Sequence, residues 1–420
     1  MKGQATGNIM RLLMGLASGL PFVLFWLVPV SAAPAPDSII IGCTLPLTGR
    51  FAGNGIEVKD GYEIAVEHIN QAGGIFVKEF GKKIPVKLVL YNDESDPQKA
   101  VTRYEKMNSD DKVVAYLGSF STTINASLVA IAEKNKVPIV VSHFGQLQPH
   151  KQGYKYLFSP FHKATPDHPK LFDAMAEIFG KDNLKTVAFV MSRSEAAFDE
   201  LQEFKARIAR EGQYIDKEGK FKTVLEETYP LGATDFSMII TKAKAANAQI
   251  WISHPTPPEG MAIIRQMKEL DYNPQLIHMT QASSDRGWPG GEHQLGEYVA
   301  ALEAWIPGLP WPGNDKLIAD AKKRLGGKLP WCGVGTGYMD VQILANAIER
   351  AGTLDREKIR DALTKTEMMT VGGPVKVRPD GTFELNVYLC QWQKGAYVPV
   401  WPKKYAVANP IFPTPKWSER

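Results

Sequence analysis

The 420-residue sequence contains only three cysteines, Cys43, Cys332 and Cys390. An odd, widely spaced set gives no disulfide framework. With no Cys or His nearby at ligand spacing it gives no zinc site either, so each thiol is expected to be a small buried apolar group. Excess charge is missing too: 49 Lys and Arg stand against 45 Asp and Glu, a net +4. That balance excludes a polybasic nucleic-acid binder and a disordered acidic chain. No Gly-x-Ser-x-Gly nucleophile turn and no His-Glu-x-x-His metal motif occurs, and the eight His are scattered. Beyond residue 30 no apolar run approaches a membrane span. Neither catalysis nor a resident metal or cofactor is therefore expected.

What is present is a chain 44% hydrophobic, too long for one compact core, so two lobes are expected. Residues 1–32 hold Lys2 and Arg11, no acidic residue, and an apolar run from Leu12 to Val30. This is the layout of a signal peptide, with small residues placed for cleavage after Ala32. An uncleaved anchor competes, because the run nears the length of a bilayer span; Pro21 and Pro29 inside it favour cleavage. Cleavage leaves 47 basic residues against 45 acidic, a net +2, and a soluble mature chain in the periplasm. Cys43 lies too far past the small residues to be a lipid-anchor site.

Short apolar runs alternate with helical periodicity. Strands are predicted at 38–42, 86–91, 113–118 and 137–142, with helices at 55–72, 97–107 and 123–135. After a loop-rich stretch, 144–169, the alternation restarts. Helices are predicted at 171–179, 195–211, 236–246 and 258–270, and strands at 186–190, 224–229, 249–252 and 275–279. Each set describes a parallel sheet covered by helices on both faces, an α/β class. A Gly-, Pro- and Trp-rich region then runs to residue 330. Helices at 336–351 and 356–365, a β-like stretch at 387–392 and a Pro-rich surface strap at 399–415 complete the chain. Gly333-Val334-Gly335-Thr336-Gly337 has part of a dinucleotide-loop pattern, but no apolar strand precedes it, so it reads as a flexible lead into the next helix.

In open α/β sheets ligands bind beyond the C-terminal strand ends, so a cleft between the lobes is the favoured site. Gly118-Ser119-Phe120-Ser121-Thr122-Thr123 lies between a buried strand and a helix. Its hydroxyls and free backbone N–H groups suit a carboxylate, although simple capping by Ser121, Thr122 or Thr123 would use the same residues. Asp93, Glu94 and Asp96, before Pro97, read as a solvated cap and turn rather than a paired-carboxylate or hard-metal site.

An ordered set of phrases runs through the mature chain. It comprises Leu45-Pro46-Leu47-Thr48-Gly49, Asn54-Gly55, Gly61, Gly73-Gly74, Asn92-Asp93-Glu94-Ser95-Asp96-Pro97, Gly118 to Thr123, and Val137 to Ser142. Further on come Thr234-Asp235-Phe236, Gly373-Pro374-Val375 and Asp380-Gly381-Thr382. The set resembles the solute-binding proteins of ABC importers of the leucine/isoleucine/valine-binding type. The resemblance implies the type I periplasmic-binding-protein fold: two Rossmann-like lobes with parallel sheets, joined by a three-crossover hinge. Lobe one would hold 37–160 and 285–378, and lobe two 161–284 and 379–420. It also implies capture of an amino acid, an amino-acid-like or aromatic carboxylate, or an amide. Delivery would be to an ABC permease whose ATPase subunits are separate chains. A sensory protein presenting its closed form to a membrane receptor is the alternative.

The resemblance places ligand contacts at Ser119, Phe120, Ser121 and Thr122, and in the Ser142 to Gln146 segment through His143, Phe144 and Gln146. Phe144 in the core and His143 as a solvated loop residue remain open. Phe198 falls where relatives offer an aromatic wall, or else packs inward. His254, with Thr256 as the neighbouring choice, replaces a segment that commonly supplies a tyrosine, and Asn54 stands where relatives often present a bulky aromatic. Gln281 occupies the position of an acidic residue that pairs with a ligand ammonium. A neutral amide does not offset the desolvation of a buried ammonium as a carboxylate does. The expectation is that the ligand need not be an α-amino acid.

Overall fold

The first sheet begins with β1 (Ile39–Leu45), almost wholly buried because it is a central strand with apolar cover on both faces. It is followed by α1 (Ala52–Gln71), a hairpin of β2 (Ile75–Val77) and β3 (Lys82–Ile84), β4 (Val86–Asn92), α2 (Pro97–Ser109) and β5 (Ala115–Leu117). Then come α3 (Thr122–Asn135), β6 (Ile139–Val140), α4 (Gln148–Lys151) and β7 (Leu157–Phe158). Five strands pair in parallel in the order β4-β1-β5-β6-β7. The computed structural model describes residues 34–161, 170–180, 186–211, 221–285, 287–288 and 295–420. The expected signal peptide lies outside the described residues.

The second sheet is built from the next alternation: α5 (Lys170–Phe179), β8 (Thr186–Ser192), α6 (Glu195–Glu211), β9 (Lys222–Tyr229) and α7 (Ser237–Ala245). β10 (Ile250–Ser253), α8 (Pro257–Glu269), β11 (Leu276–Met279) and β12 (Val299–Glu303) follow. Its parallel part, β9-β8-β10-β11-β12, repeats the winding of the first sheet. The chain then supplies α9 (Asn314–Arg324), α10 (Cys332–Ala351) and α11 (Arg356–Leu363) to the first lobe. A small antiparallel sheet of β13 (Glu367–Thr370), β14 (Gly373–Val377) and β15 (Phe383–Glu384) comes next. Finally β16 (Tyr388–Gln393) and β17 (Ala396–Trp401) add an antiparallel edge to the second sheet beside β12.

Three passages therefore connect the sheets: after β7, after β12, and between β15 and β16. Two of the expected boundaries are corrected by this. Lobe one was expected to resume at 285, but Val299–Glu303 is a strand of the second sheet. The last passage lies beyond residue 384 rather than at 378, because β14 and β15 pair before the chain crosses. The first residues of the expected strap, 399–401, likewise belong to a paired strand, β17. The tail beyond it does lie along lobe two, with Thr414 N–H donating to Gln275 O at 2.8 Å and Trp417 Nε1 to Tyr272 O at 3.0 Å.

The core follows the same division. One cluster fills lobe one around β1, α1 and α10, and two others lie on the second lobe's sheet. α1 and α10 pack closely enough that a Cβ at Gly61 would sit 2.2 Å from Val334 O. The glycines 333–337 are thus the first turns of α10, not a flexible lead. A Cβ at Gly335 would lie 1.8 Å from the Trp305 ring, so only a bare backbone fits there. Among the described residues no helix is long and apolar enough to cross a membrane.

Candidate functional site

The C-terminal ends of the two parallel sheets face a cavity of about 470 Å³. Lobe one contributes the start of α1 and the loops after β5 and β6. Lobe two contributes the loops after β8, β10 and β11, and the end of β12 with the start of α10 forms the floor.

On the lobe-one side Ser121 stands at the N-cap of the 14-residue α3 with φ 84°, and its side chain makes no capping hydrogen bond. Backbone at this φ is strained for a residue with a Cβ, and such strain is characteristic of ligand-facing turns. Thr122 Oγ1 accepts the Gly145 N–H at 2.9 Å, tying α3 to the loop after β6. The Phe120 ring lies between Phe51, 5.9 Å away, and His143, 4.9 Å away. His143 Nε2 lies 3.3 Å from Thr336 Oγ1 and its Nδ1 is buried without a partner. Burial pulls this imidazole down to about 4, so it is neutral at physiological pH. Asn54 is 4% exposed and its Oδ1 is likewise buried without a partner.

These side chains are held from behind. Asn125, fully buried, accepts the Ser119 N–H and donates to Ser119 O and His143 O, all at 2.8 Å. Asp340 of α10 accepts the Ser142 N–H at 3.0 Å and the Ser142 hydroxyl, and burial pushes its carboxyl up to about 7. Two strand-end loops are so fixed relative to α3 and α10.

On the lobe-two side Ser192 and Ser194 lead into α6, with Ser194 Oγ accepting the Ala197 N–H at 3.3 Å. Glu200, 4% exposed, bridges two lining residues: one oxygen lies 2.6 Å from His254 Nδ1 and the other accepts from Thr280 Oγ1 at 2.7 Å. Thr256 lines the cavity at the N-cap of α8, where its N–H donates to Glu259 at 2.8 Å. Gln281 also lines the cavity, with φ 108°. The lobes touch where the loop after β6 meets α6. Leu147 N–H donates to Asp199 Oδ2 at 3.0 Å, and a Cβ at Gly145 would lie 3.3 Å from Ala196 Cβ.

Of the twelve residues singled out from sequence, the cavity brings together Asn54, Phe120, Ser121, Thr122, His143, Gln146, His254, Thr256 and Gln281. It does not include the other three. Ser119 is buried behind the wall, its hydroxyl donating to Asp93 Oδ2 at 2.6 Å. Phe144 is fully buried in the lobe-one core, pointing away toward His150. Phe198 is 59% exposed on α6 and borders a neighbouring recess instead, because its face of the helix turns outward. Asp93 is also corrected: it is a buried support for Ser119, while Asp96 is the cap of α2, accepting from Gln98 and Lys99 N–H.

The floor was not legible from the sequence. Glu57 of α1 and Glu303 at the end of β12 are both buried and both line the cavity, next to Cys332 and Thr336. Glu303 Oε1 accepts from the Ser284 hydroxyl and from Tyr397 OH, the latter at 2.9 Å. Burial raises the Glu303 carboxyl above its ordinary range and the Cys332 thiol well above its own. A charged residue closing an apolar run was the available signal for Glu303. All three cysteines are buried as free thiols. Among the described residues no group of three or more His, Cys, Asp or Glu has the arrangement of a metal site.

Known proteins share this architecture. The chain is 27% identical over 379 residues to a leucine-, isoleucine-, valine-, threonine- and alanine-binding protein of Pseudomonas aeruginosa, covering 87% of this chain and 93% of that one. It is 26% identical over 364 residues to a Leu/Ile/Val-binding protein homolog of Brucella abortus, covering 85% and 91%. The structure superposes on a leucine-binding protein of Thermotoga maritima with a TM-score of 0.70 at 23% identity, covering 86% of this chain and 97% of that one. It also superposes on an ABC-transporter solute-binding protein of Rhodopseudomonas palustris in complex with 3,4-dihydroxybenzoic acid, with a TM-score of 0.71 at 18% identity, covering 92% and 100%. The periplasmic binding protein family profile matches residues 38–396, most of the chain, and the protein belongs to that family.

Proposed function

We propose that this protein is the extracytoplasmic substrate-binding component of an ABC importer, which captures a small carboxylate-bearing solute between its lobes and passes it unchanged to a membrane permease. The single observation that carries this reading is the cleft itself. A cavity of about 470 Å³ is lined by both sheets' C-terminal ends and faced by the start of α3, where Ser121 leaves the first-turn N–H groups without a side-chain cap. Uncapped helix donors and adjacent hydroxyls match a carboxylate. The rings of Phe51 and Phe120 supply an apolar wall for the rest of a small solute. The relatives' names support amino acids or aromatic acids as the solute class.

Binding works without chemistry. Solute contacts on both walls favour the arrangement in which the lobes touch, and the closed population rises by the difference in affinity between open and closed states. The closed form is what a permease would recognise, with ATP hydrolysis on a separate subunit. A micromolar complex needs about −8 kcal/mol, within reach of a few charge-assisted bonds in a dry cleft.

The test is calorimetric titration of ligand-stripped protein with leucine, isoleucine, benzoate and 3,4-dihydroxybenzoate, followed by mass analysis of the recovered compound. One-site binding with the compound returned intact supports the proposal. Turnover, or no binding by any of the four, contradicts it.

A further inference from the structure

Replacement of the expected acidic residue by Gln281 suggests a cleft with nothing to hold a cation, yet the floor tells otherwise. Glu303 is 6% exposed and ends β12, so the parallel sheet aims it into the cavity from the hinge side. Its hydrogen-bond partners are neutral: the Ser284 and Tyr397 hydroxyls, both on Oε1, and the Cys332 thiol. Buried carboxylates are normally matched by a positive charge, and Glu303 has none among these partners. The lining residues that carry a full positive charge, Arg50 and Arg193, are both exposed. A second, independent observation points the same way. Asn54 approaches the cavity from α1, and its buried Oδ1 accepts nothing from the protein.

We propose that Glu303, assisted by Asn54, is the counter-charge for a solute's ammonium group, so that the solute is an aminocarboxylate held amine-inward at the floor with its carboxylate toward Ser121. This deepens the function proposed above and rests on it. An ammonium carries three donors, and the Glu303 carboxylate on the floor and the Asn54 carbonyl on the lobe-one side can receive them. The acid has moved from the loop after β11 to the end of β12. Gln281 is thereby relieved of charge pairing, and the amine is placed against the hinge rather than against the lobe-two wall.

Matched pairs test this by calorimetry: L-leucine against 4-methylpentanoate, 4-aminobutyrate against butyrate, and 4-(aminomethyl)benzoate against 4-methylbenzoate. In the wild-type chain at least one amine should bind tenfold or more tightly than its amine-free partner. In Glu303→Gln, which keeps the shape and removes the charge, that preference should fall below threefold, with the circular dichroism spectrum unchanged. Amine-free acids binding as tightly as their partners to the wild-type chain would overturn the proposal and leave the carboxylate clamp standing. So would a Glu303→Gln variant that keeps the tenfold preference. If none of the six binds, both the proposal and the function on which it rests fail. Because the wild-type comparison needs no variant, a Glu303→Gln chain that does not fold leaves the decision to the wild-type pairs.

Discussion

Asn125→Ala probes how the site is held. The amide makes three 2.8 Å hydrogen bonds, accepting from Ser119 N–H and donating to Ser119 O and His143 O. Alanine keeps none of them and leaves three main-chain groups unsatisfied behind the cavity wall, in a place where Asn125 itself is fully buried. An unsatisfied buried group costs about 1–3 kcal/mol. Allowing for partial recovery by water entering the vacated space, the expected loss of stability is about 3–5 kcal/mol. Urea unfolding reads this as a lower midpoint at unchanged slope. Because the same bonds set the loops that carry Ser121 and His143, the affinity for whichever panel compound binds should fall at least tenfold. A stability loss under about 1 kcal/mol with unchanged affinity would refute the idea that Asn125 locks the two loops together.

Gly335→Ala places a Cβ 1.8 Å from the Trp305 ring at the hinge, an overpacking expected to cost about 1–3 kcal/mol or more, visible as a lowered thermal midpoint. Ala196→Trp adds bulk where Gly145 of the other lobe comes near, so solution scattering should report a larger radius of gyration and titration a weaker affinity, with an unaltered far-ultraviolet spectrum. Asp340 titrates at about 7 in the folded chain against an ordinary 3.8, so the folded state retains a proton that the unfolded chain releases. Stability from this group is therefore full in acid and declines as pH rises through roughly 4 to 7, by up to about 4 kcal/mol. Asp340→Asn should flatten that dependence in denaturation series, and an unflattened profile would show that other groups set it.

The two sheets were legible because their strands are continuous apolar runs and their helices keep a regular apolar stripe, as in Ile39–Leu45 and Ala52–Gln71. β12 was hidden because Val299-Ala300-Ala301-Leu302 is too short to separate from the Trp-, Gly- and Pro-rich stretch around it. With that strand unseen, Glu303 could not be placed in the cleft. The small sheet β13 to β15 lacked a uniform apolar pattern, since its strands alternate exposed and buried positions. Within the site, position after a buried strand pointed to the Ser119–Thr122 and His143–Gln146 segments. Side-chain direction within each segment was not visible: Phe120 lines the cavity and Phe144 is buried in the core, although both are phenylalanines in loops that follow a buried strand. Ser192 and Ser194 repeat the strand–hydroxyl–helix arrangement of Ser119 to Thr123 and could have been found by that analogy.

A crystal structure with the tightest-binding member of the titration panels decides where the solute is held. One intact molecule is expected between the two sheets, its carboxylate within hydrogen-bond distance of Ser121 and the first-turn N–H groups of α3. A molecule bound elsewhere, or lying in the cleft with its carboxylate turned away from that helix, would contradict it.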